Sequence, residues 1–202
     1  MPSRFYQNQP WAQTVPSSMR RVGLALAVAY AVPALPVLTG IWPPHSSPPY
    51  SIILASLLLA VTLAMLSTID LYWQRLPDIL TLPLTAAGLV LCAVLQWDDV
   101  WARCAAAILA YLLMYTIAAI YERLRNRPGL GLGDAKLFAA AGAWLGIAGL
   151  PAVLLLATGS ALCWVVIAAL AGKPMTSATR IPLGPFLAFG FWIVWLYGPL
   201  DA

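Results

Sequence analysis

The sequence LLLAVTLAMLSTI occupies residues 57–69 and ends at Asp70. With the apolar residues before it, this uncharged run reaches about 20 residues, the length that an α-helix needs to cross the hydrocarbon core of a bilayer. The whole chain has the same character, because 62% of its 202 residues are hydrophobic and 9% are charged. Soluble domains carry about 25% charged residues. The sequence therefore predicts an all-α polytopic membrane protein.

Similar apolar runs recur along the chain and predict about seven transmembrane helices. Their predicted bounds are Val22–Trp42, Ser51–Asp70, Ile79–Trp97, Trp101–Tyr121, Asp134–Leu150, Pro151–Ala171 and Ile181–Gly198. The chain is accordingly divided into a polar cytoplasmic segment (1–21), a first span with a Pro-rich external loop (22–50) and a membrane domain (51–198). The first span could instead be a signal peptide, but Pro33 and Pro36 inside it favour a kinked helix that is retained.

The cations predict the orientation of these helices. With the N-terminus in the cytoplasm, ten of the 11 Lys and Arg residues fall on the cytoplasmic side, and only Arg103 falls outside. The cytoplasmic ten are Arg4, Arg20, Arg21, Arg75, Arg123, Arg125, Arg127, Lys136, Lys173 and Arg180. This bias follows the positive-inside rule and predicts a periplasmic C-terminus. The rule also accounts for the net charge of +4, so membrane lipid is an expected partner and nucleic acid is not.

Two acidic residues lie at the ends of predicted spans. Asp70 closes one apolar run, and Asp134 opens another within GLGLGDAKL at residues 129–137. An ionisable residue at the edge of the hydrocarbon marks either a functional site or an ion pair, here with Arg75 or Lys136. In the predicted topology both aspartates lie at cytoplasmic helix ends, so they share one depth in the membrane and could meet.

Two facing carboxyl groups can hydrolyse a peptide bond. They share one proton, so the ionised group takes a proton from water while the protonated group polarises the scissile carbonyl. No cofactor and no metal is expected, because a zinc site needs about four ligands. The only histidine, His45, lies far in sequence from Cys92, Cys104 and Cys163, and no CxxC pair exists.

Each aspartate is predicted to have its own role. Gly129, Gly131 and Gly133 are expected to adopt positive φ and to turn the chain sharply into a helix. Asp134 would then lie near a helix N-terminus, where the dipole favours its charged form as the base. Asp70 lies towards the end of its own span, where the negative dipole end and apolar neighbours favour its neutral form.

Roles are also predicted for four further residues. Asp78 is expected to be the N-cap of the third span, with a catalytic group as the alternative. Lys136 either orients Asp134 or a substrate carboxylate, or extends to the interface without a specific partner. Gly142 and Gly146 have the spacing of a small-residue contact between helices.

Three motifs resemble those of the type IV prepilin peptidases, a family of membrane aspartyl peptidases with a GxGD motif. The first joins Ile69-Asp70 to LPDILTLP at 76–83, the second joins GLGDAKL at 131–137 to GAWLG at 142–146, and the third is IPLGPFLA at 181–188. Their order agrees with the family's, as does the separation of the two aspartates by 134 − 70 = 64 positions. The resemblance extends over Ser51–Gly198.

The resemblance implies an aspartic endopeptidase of the bacterial inner membrane, which removes the leader from prepilins or pseudopilins at the cytoplasmic face. These substrates serve type IV pili or type II secretion. Asp70 and Asp134 match the family's catalytic aspartates, while Gly131, Gly133, Lys136 and Asp78 belong to the motifs around them. Long members of the family also methylate the new N-terminus and carry a cytosolic insert with two CxxC pairs. Because this sequence has no such pair, N-methylation and S-adenosylmethionine are not expected.

Two other classes of function fit the composition. One is a component of a proton-coupled membrane transporter that uses Asp70 and Asp134 as proton carriers. The other is an assembly protein with the same fold but without catalysis. The first lacks the support of a repeat or of broken helices in matched halves of the chain, and the presence of both aspartates argues against the second.

Overall fold

The computed structural model describes residues 30–32, 50–95, 100–125, 131–170 and 182–198. These residues form a short helical piece at Tyr30–Val32 and six longer helices. The six are α1 (Tyr50–Trp73), α2 (Asp78–Leu95), α3 (Val100–Arg125), α4 (Leu132–Leu145), α5 (Gly149–Leu170) and α6 (Gly184–Tyr197). The predicted all-helical class is confirmed for this part of the chain, which contains no strand.

Three of these helices are long and apolar enough to cross a membrane, over Ile52–Trp73, Val100–Leu124 and Gly149–Leu170. Shorter apolar helices lie at Asp78–Val94 and Gly184–Tyr197. The chain is therefore a multi-pass membrane protein. Apart from residues 30–32, the predicted first span lies outside the described residues, as do the segment 1–21 and the Pro-rich loop.

The outer surface of the helix bundle is apolar. Ile79, Trp101 and Leu170 are each at least 80% exposed, and many Leu, Ile and Val side chains on the same helices are more than half exposed. A water-facing surface with so much exposed apolar area is rare among monomeric soluble proteins. Helices that are apolar on all sides are typical of membrane spans, where lipid covers the outward faces.

Helix α4 lies at the centre of the bundle and packs against α2, α3, α5 and α6. Its small residues permit this close packing, because most of its alanines and Gly142 are buried. A Cβ atom on Gly142 would lie 2.7 Å from the carbonyl oxygen of Ala106 in α3. The predicted role of Gly142 as a small residue between helices is therefore confirmed.

The predicted fifth span, Asp134–Leu150, was too long. Helix α4 ends at Leu145 because Gly146 adopts φ +73° and its N–H donates to the carbonyl of Gly142, which caps the helix. A Cβ on Gly146 would meet nothing within 4 Å. Its predicted role as a helix-packing residue is therefore wrong, and Gly146 instead provides the backbone conformation of a C-terminal cap.

An aromatic cluster surrounds the C-terminal end of α4. The indole Nε1 of Trp144 donates a hydrogen bond of 2.7 Å to the carbonyl oxygen of Leu84 in α2. The Trp144 ring lies edge-on to Trp195 and Phe191 of α6, with centroids 5.1 and 6.4 Å away. The guanidinium of Arg103 in α3 donates to the Trp144 carbonyl. These contacts anchor the end of α4 that is opposite to Asp134.

The link between α1 and α2 is short and begins beyond Asp70. Helix α1 continues to Trp73, the amide of Gln74 donates to the carbonyl of Asp70, and Gln74 then adopts φ 50°. The carbonyl of Pro77 accepts the first helical hydrogen bonds of α2. Asp78 is already the first residue of α2, so the prediction that it is the N-cap was wrong by one position.

Candidate active site

Asp70 is a buried acid near the C-terminal end of α1. Its residue is 6% exposed, although the surrounding run is otherwise apolar. The carboxyl oxygen Oδ2 accepts a hydrogen bond of 3.1 Å from the backbone N–H of Gly184, the first residue of α6. A buried carboxyl group needs such a partner, because an unpaired polar group in an apolar environment is costly.

Asp134 is a second buried acid and the third residue of α4, with 8% of the residue exposed. Its own N–H donates to the carbonyl of Gly131 at 3.1 Å, which forms the first turn of the helix. The GxGD segment therefore holds Asp134 within its own first turn.

The structure brings these two acids together. The carboxyl group of Asp70 acts electrostatically on that of Asp134, although the residues are 64 positions apart in the sequence. The packing of α1 and α4 on α6 produces this approach. Two buried carboxyl groups that interact in this way resist simultaneous ionisation, and such a pair can activate water and polarise a carbonyl.

Gly131 and Gly133, the two glycines of the GxGD segment, do not have the predicted role of turning the chain through positive φ. Gly131 has φ −74° and Gly133 lies inside α4, so neither adopts positive φ, while Gly129 lies outside the described residues. Gly133 instead permits close packing, because its Cβ would lie 2.7 Å from the Cβ of Leu76. A Cβ on Gly131 would lie 3.6 Å from Oδ2 of Asp134, an ordinary contact distance.

Lys136 and Asp78 form an ion pair that joins the start of α4 to the start of α2. Lys136 therefore does not lie at the interface without a partner, whereas its orientation of Asp134 or of a substrate carboxylate stays a prediction. The side chains are 28% and 59% exposed, so solvent screens their attraction. Asp78 lies in the first turn of α2, where a negative charge also complements the helix dipole.

This ion pair is expected to act as one structural unit. Lys136→Met and Asp78→Asn should each reduce the peptidase activity predicted from the sequence by less than about fivefold, because exposed ion pairs contribute at most about 1 kcal/mol. The double variant should lose no more activity than either single variant, since the same single interaction is removed in all three. Initial rates measured at equal amounts of folded protein give this comparison. A much larger loss in Lys136→Met than in Asp78→Asn would mean that Lys136 acts on Asp134 or on the substrate.

A polar contact one turn before Asp70 was not predicted. The hydroxyl groups of Ser67 and Tyr30 lie 2.9 Å apart, and both residues are buried. The indole of Trp192 in α6 donates to the Tyr30 carbonyl at 2.8 Å. The sequence feature that could have indicated this contact is Ser67, a polar residue within an apolar run. Among the described residues, no three His, Cys, Asp or Glu side chains cluster in a way that could hold a metal ion.

Comparison with known proteins gives consistent matches. A prepilin leader peptidase/N-methyltransferase of Xanthomonas campestris pv. campestris is 36% identical over 149 residues, which is 71% of this chain and 50% of the relative. Proteins of that name in Burkholderia pseudomallei and Aeromonas hydrophila are 39% and 37% identical, over 68% and 72% of this chain and 44% and 50% of theirs. The chain thus spans about half the length of these curated relatives.

The family comparison covers the part of the chain that contains both buried acids. No solved structure matches the chain. The model of the Type IV leader peptidase family matches residues 57–168, a range that includes Asp70, Asp134 and the GxGD segment and ends before α6. From this match and from the shared identity with the prepilin leader peptidases, we conclude that the chain belongs to the Type IV leader peptidase family.

Proposed function

We propose that this chain is a membrane-embedded aspartic endopeptidase that removes the leader peptide of type IV prepilins or of type II secretion pseudopilins. The observation that carries the proposal is the pair of buried, interacting carboxyl groups of Asp70 and Asp134. Membership in the family and the names of the relatives supply the substrate class. Asp70 and Asp134 are proposed to be the catalytic residues.

The proposed reaction adds one water molecule across one peptide bond. The ionised carboxylate of the pair takes a proton from water as its oxygen attacks the scissile carbonyl carbon, and the protonated partner gives its proton to the carbonyl oxygen. When the tetrahedral intermediate collapses, the C–N bond breaks, the proton held by the base passes to the leaving nitrogen, and a hydroxyl group of the intermediate returns its proton to the other carboxylate, which restores the pair. The products are a leader with a free carboxylate and a mature protein with a free amine.

The placement of the site favours cleavage at the cytoplasmic face of a bacterial inner membrane. Asp70 and Asp134 lie at the same end of α1 and α4 as the cations Arg75 and Lys136, and the positive-inside rule assigns that end to the cytoplasm. Arg103 contacts the opposite end of α4. We propose seven spans in all, with 51–198 as the peptidase domain, surrounding lipid and no nucleic-acid partner.

This topology predicts the location of two reporter sites. Fusions after Ala202 and within the loop 43–49 should both report the periplasm, because an odd number of spans separates each from the cytoplasmic N-terminus. Paired alkaline phosphatase and green fluorescent protein fusions measure this, with a fusion after Gln74 as the cytoplasmic control. A cytoplasmic signal from either of the first two sites would contradict the seven-span arrangement.

A bacterial strain without its own prepilin peptidase tests the proposed function. The chain is expressed there with a prepilin or a pseudopilin, and the membrane fraction is analysed by mass spectrometry. We expect a product without its leader and without a methyl group at the new N-terminus. If every prepilin remains full-length although the chain is inserted, the peptidase proposal is wrong and a transporter or assembly role becomes the better one. A product heavier by one methyl group would contradict the proposal that the chain only cuts.

A further inference from the structure

We infer that Gly184 is a positioning residue for the proposed reaction: its backbone N–H holds the Asp70 carboxyl group, and its missing side chain leaves the space in which that group lies. The inference rests on the proposed function and extends it to the IPLGPFLA segment. That segment lies beyond residue 168, where the family match ends. The two observations that support it are a hydrogen bond and a steric limit.

The hydrogen bond joins the N-terminus of α6 to the catalytic pair. The first N–H groups of a helix have no partner within the helix, and inside a membrane protein each needs one. Pro185 has no N–H, so the start of α6 presents fewer donors than an ordinary helix. The N–H of Gly184 donates to Oδ2 of Asp70, which lies 114 positions earlier in the chain. The contact favours the rotamer of Asp70 that directs Oδ2 at the start of α6.

The steric limit explains why a glycine is needed there. A Cβ on Gly184 would lie 2.5 Å from Oδ2, 2.8 Å from Cγ and 3.2 Å from Cβ of Asp70. The first two distances are shorter than real Cβ contacts. Since Gly184 is not at positive φ, any other residue could adopt its backbone conformation. Glycine is therefore required by the approach of α6 to Asp70 and not by the local turn.

Two other glycines provide matched controls. A Cβ on Gly190, in the same helix, would lie 2.6 Å from the carbonyl oxygen of Val153 in α5, so Gly190→Ala introduces a comparable clash away from Asp70. A Cβ on Gly159 in α5 would meet nothing within 4 Å. Gly159→Ala therefore controls for a glycine-to-alanine change in a helix without a clash.

The test compares kcat, KM and thermal unfolding of these variants in nanodiscs with a synthetic prepilin peptide. In Gly184→Ala we expect kcat to fall about 100-fold, because a displacement of about 1 Å in a catalytic group can cost that much. KM should stay near the wild-type value, and the unfolding temperature should fall by no more than in Gly190→Ala, because the two clashes are of similar size. Gly190→Ala should combine its lower unfolding temperature with a near-normal kcat for the folded fraction, and Gly159→Ala should resemble the wild type.

A kcat near the wild-type value in Gly184→Ala would overturn the inference, as would a loss fully explained by less folded protein. If Gly184→Ala does not fold, replacement of the residue-184 amide by an ester removes the N–H without adding a side chain and only weakens the Leu183 carbonyl as the acceptor for Leu187. The kcat should then fall about tenfold, the equivalent of about 1.4 kcal/mol. An ester variant with wild-type kcat would also overturn the inference. A wild-type chain that cuts no leader peptide is a different result, since it refutes the proposed function itself.

Discussion

Asp70→Asn and Asp134→Asn are each expected to lower the rate of leader cleavage by about 10³-fold or more, while the protein remains inserted and folded. An amide can neither take a proton from water nor donate an acidic proton to a carbonyl, and each such group supplies about 10²–10⁴-fold. The double variant should be little worse than either single variant, because the two carboxyl groups act as one unit. Initial rates at equal amounts of folded protein measure the effect.

Folding must be separated from chemistry in this experiment. Asn at position 70 still offers an oxygen to the N–H of Gly184, so Asp70→Asn should preserve the contact that joins α1 to α6. Asp70→Ala removes the acceptor and should also lower the unfolding temperature, which makes it the matched control for the structural part of the contact. If Asp70→Asn or Asp134→Asn cuts at a near wild-type rate, that residue is not catalytic.

Gly133→Ala is expected to reduce kcat by about 10–100-fold, whereas Gly131→Ala should change it by about twofold or less. Both glycines belong to the same motif, and their surroundings differ. A methyl group on Gly133 would collide with the Cβ of Leu76, at 2.7 Å, and would push the start of α4 away from the link before α2. The displacement would move Asp134, the next residue in the chain. A methyl group on Gly131 has room at 3.6 Å from the nearest atom.

The cause of the Gly133 effect can be checked with a compensating change. Leu76 is buried and its Cβ is the closest atom, so Leu76→Gly, which removes that Cβ, should restore part of the activity in Gly133→Ala by making room for the methyl group. The measured quantity is kcat for the wild type, the two single variants and the double variant. Equal losses in Gly131→Ala and Gly133→Ala would contradict the packing explanation.

The helices could largely be predicted from the sequence, because each depends on an apolar run that is local in the chain. The bounds of α5 differ by two residues at the start and one at the end from the predicted sixth span. The end of α4 was missed by five residues, because its position depends on the backbone conformation of Gly146. That Asp70 and Asp134 are buried near one another could also be expected, since both lie at the predicted cytoplasmic ends of their spans.

The partners of the site residues could not be predicted, because they lie on other helices. Lys136 forms an ion pair with Asp78, which lies 58 positions earlier in the chain. Asp70 accepts a hydrogen bond from Gly184, which lies 114 positions later. The sequence argument for a neutral Asp70 used the C-terminal end of its own helix and its apolar neighbours. In the structure the N-terminus of α6 also faces the carboxyl group with an N–H donor, which favours a negative charge and so opposes the effect of burial. The separate roles of the two aspartates therefore stay a prediction.

The most direct test of the account is leader cleavage by the purified chain in nanodiscs, with a synthetic prepilin peptide, a chelator and no other protein present. We predict two products, whose masses add up to the peptide plus one water and place the cut at the junction between leader and mature sequence. The products should be absent with Asp70→Asn and with Asp134→Asn protein. An intact peptide after prolonged incubation with folded wild-type chain, or the same products from both Asn variants, would contradict the claim that these two buried aspartates cut prepilin leaders.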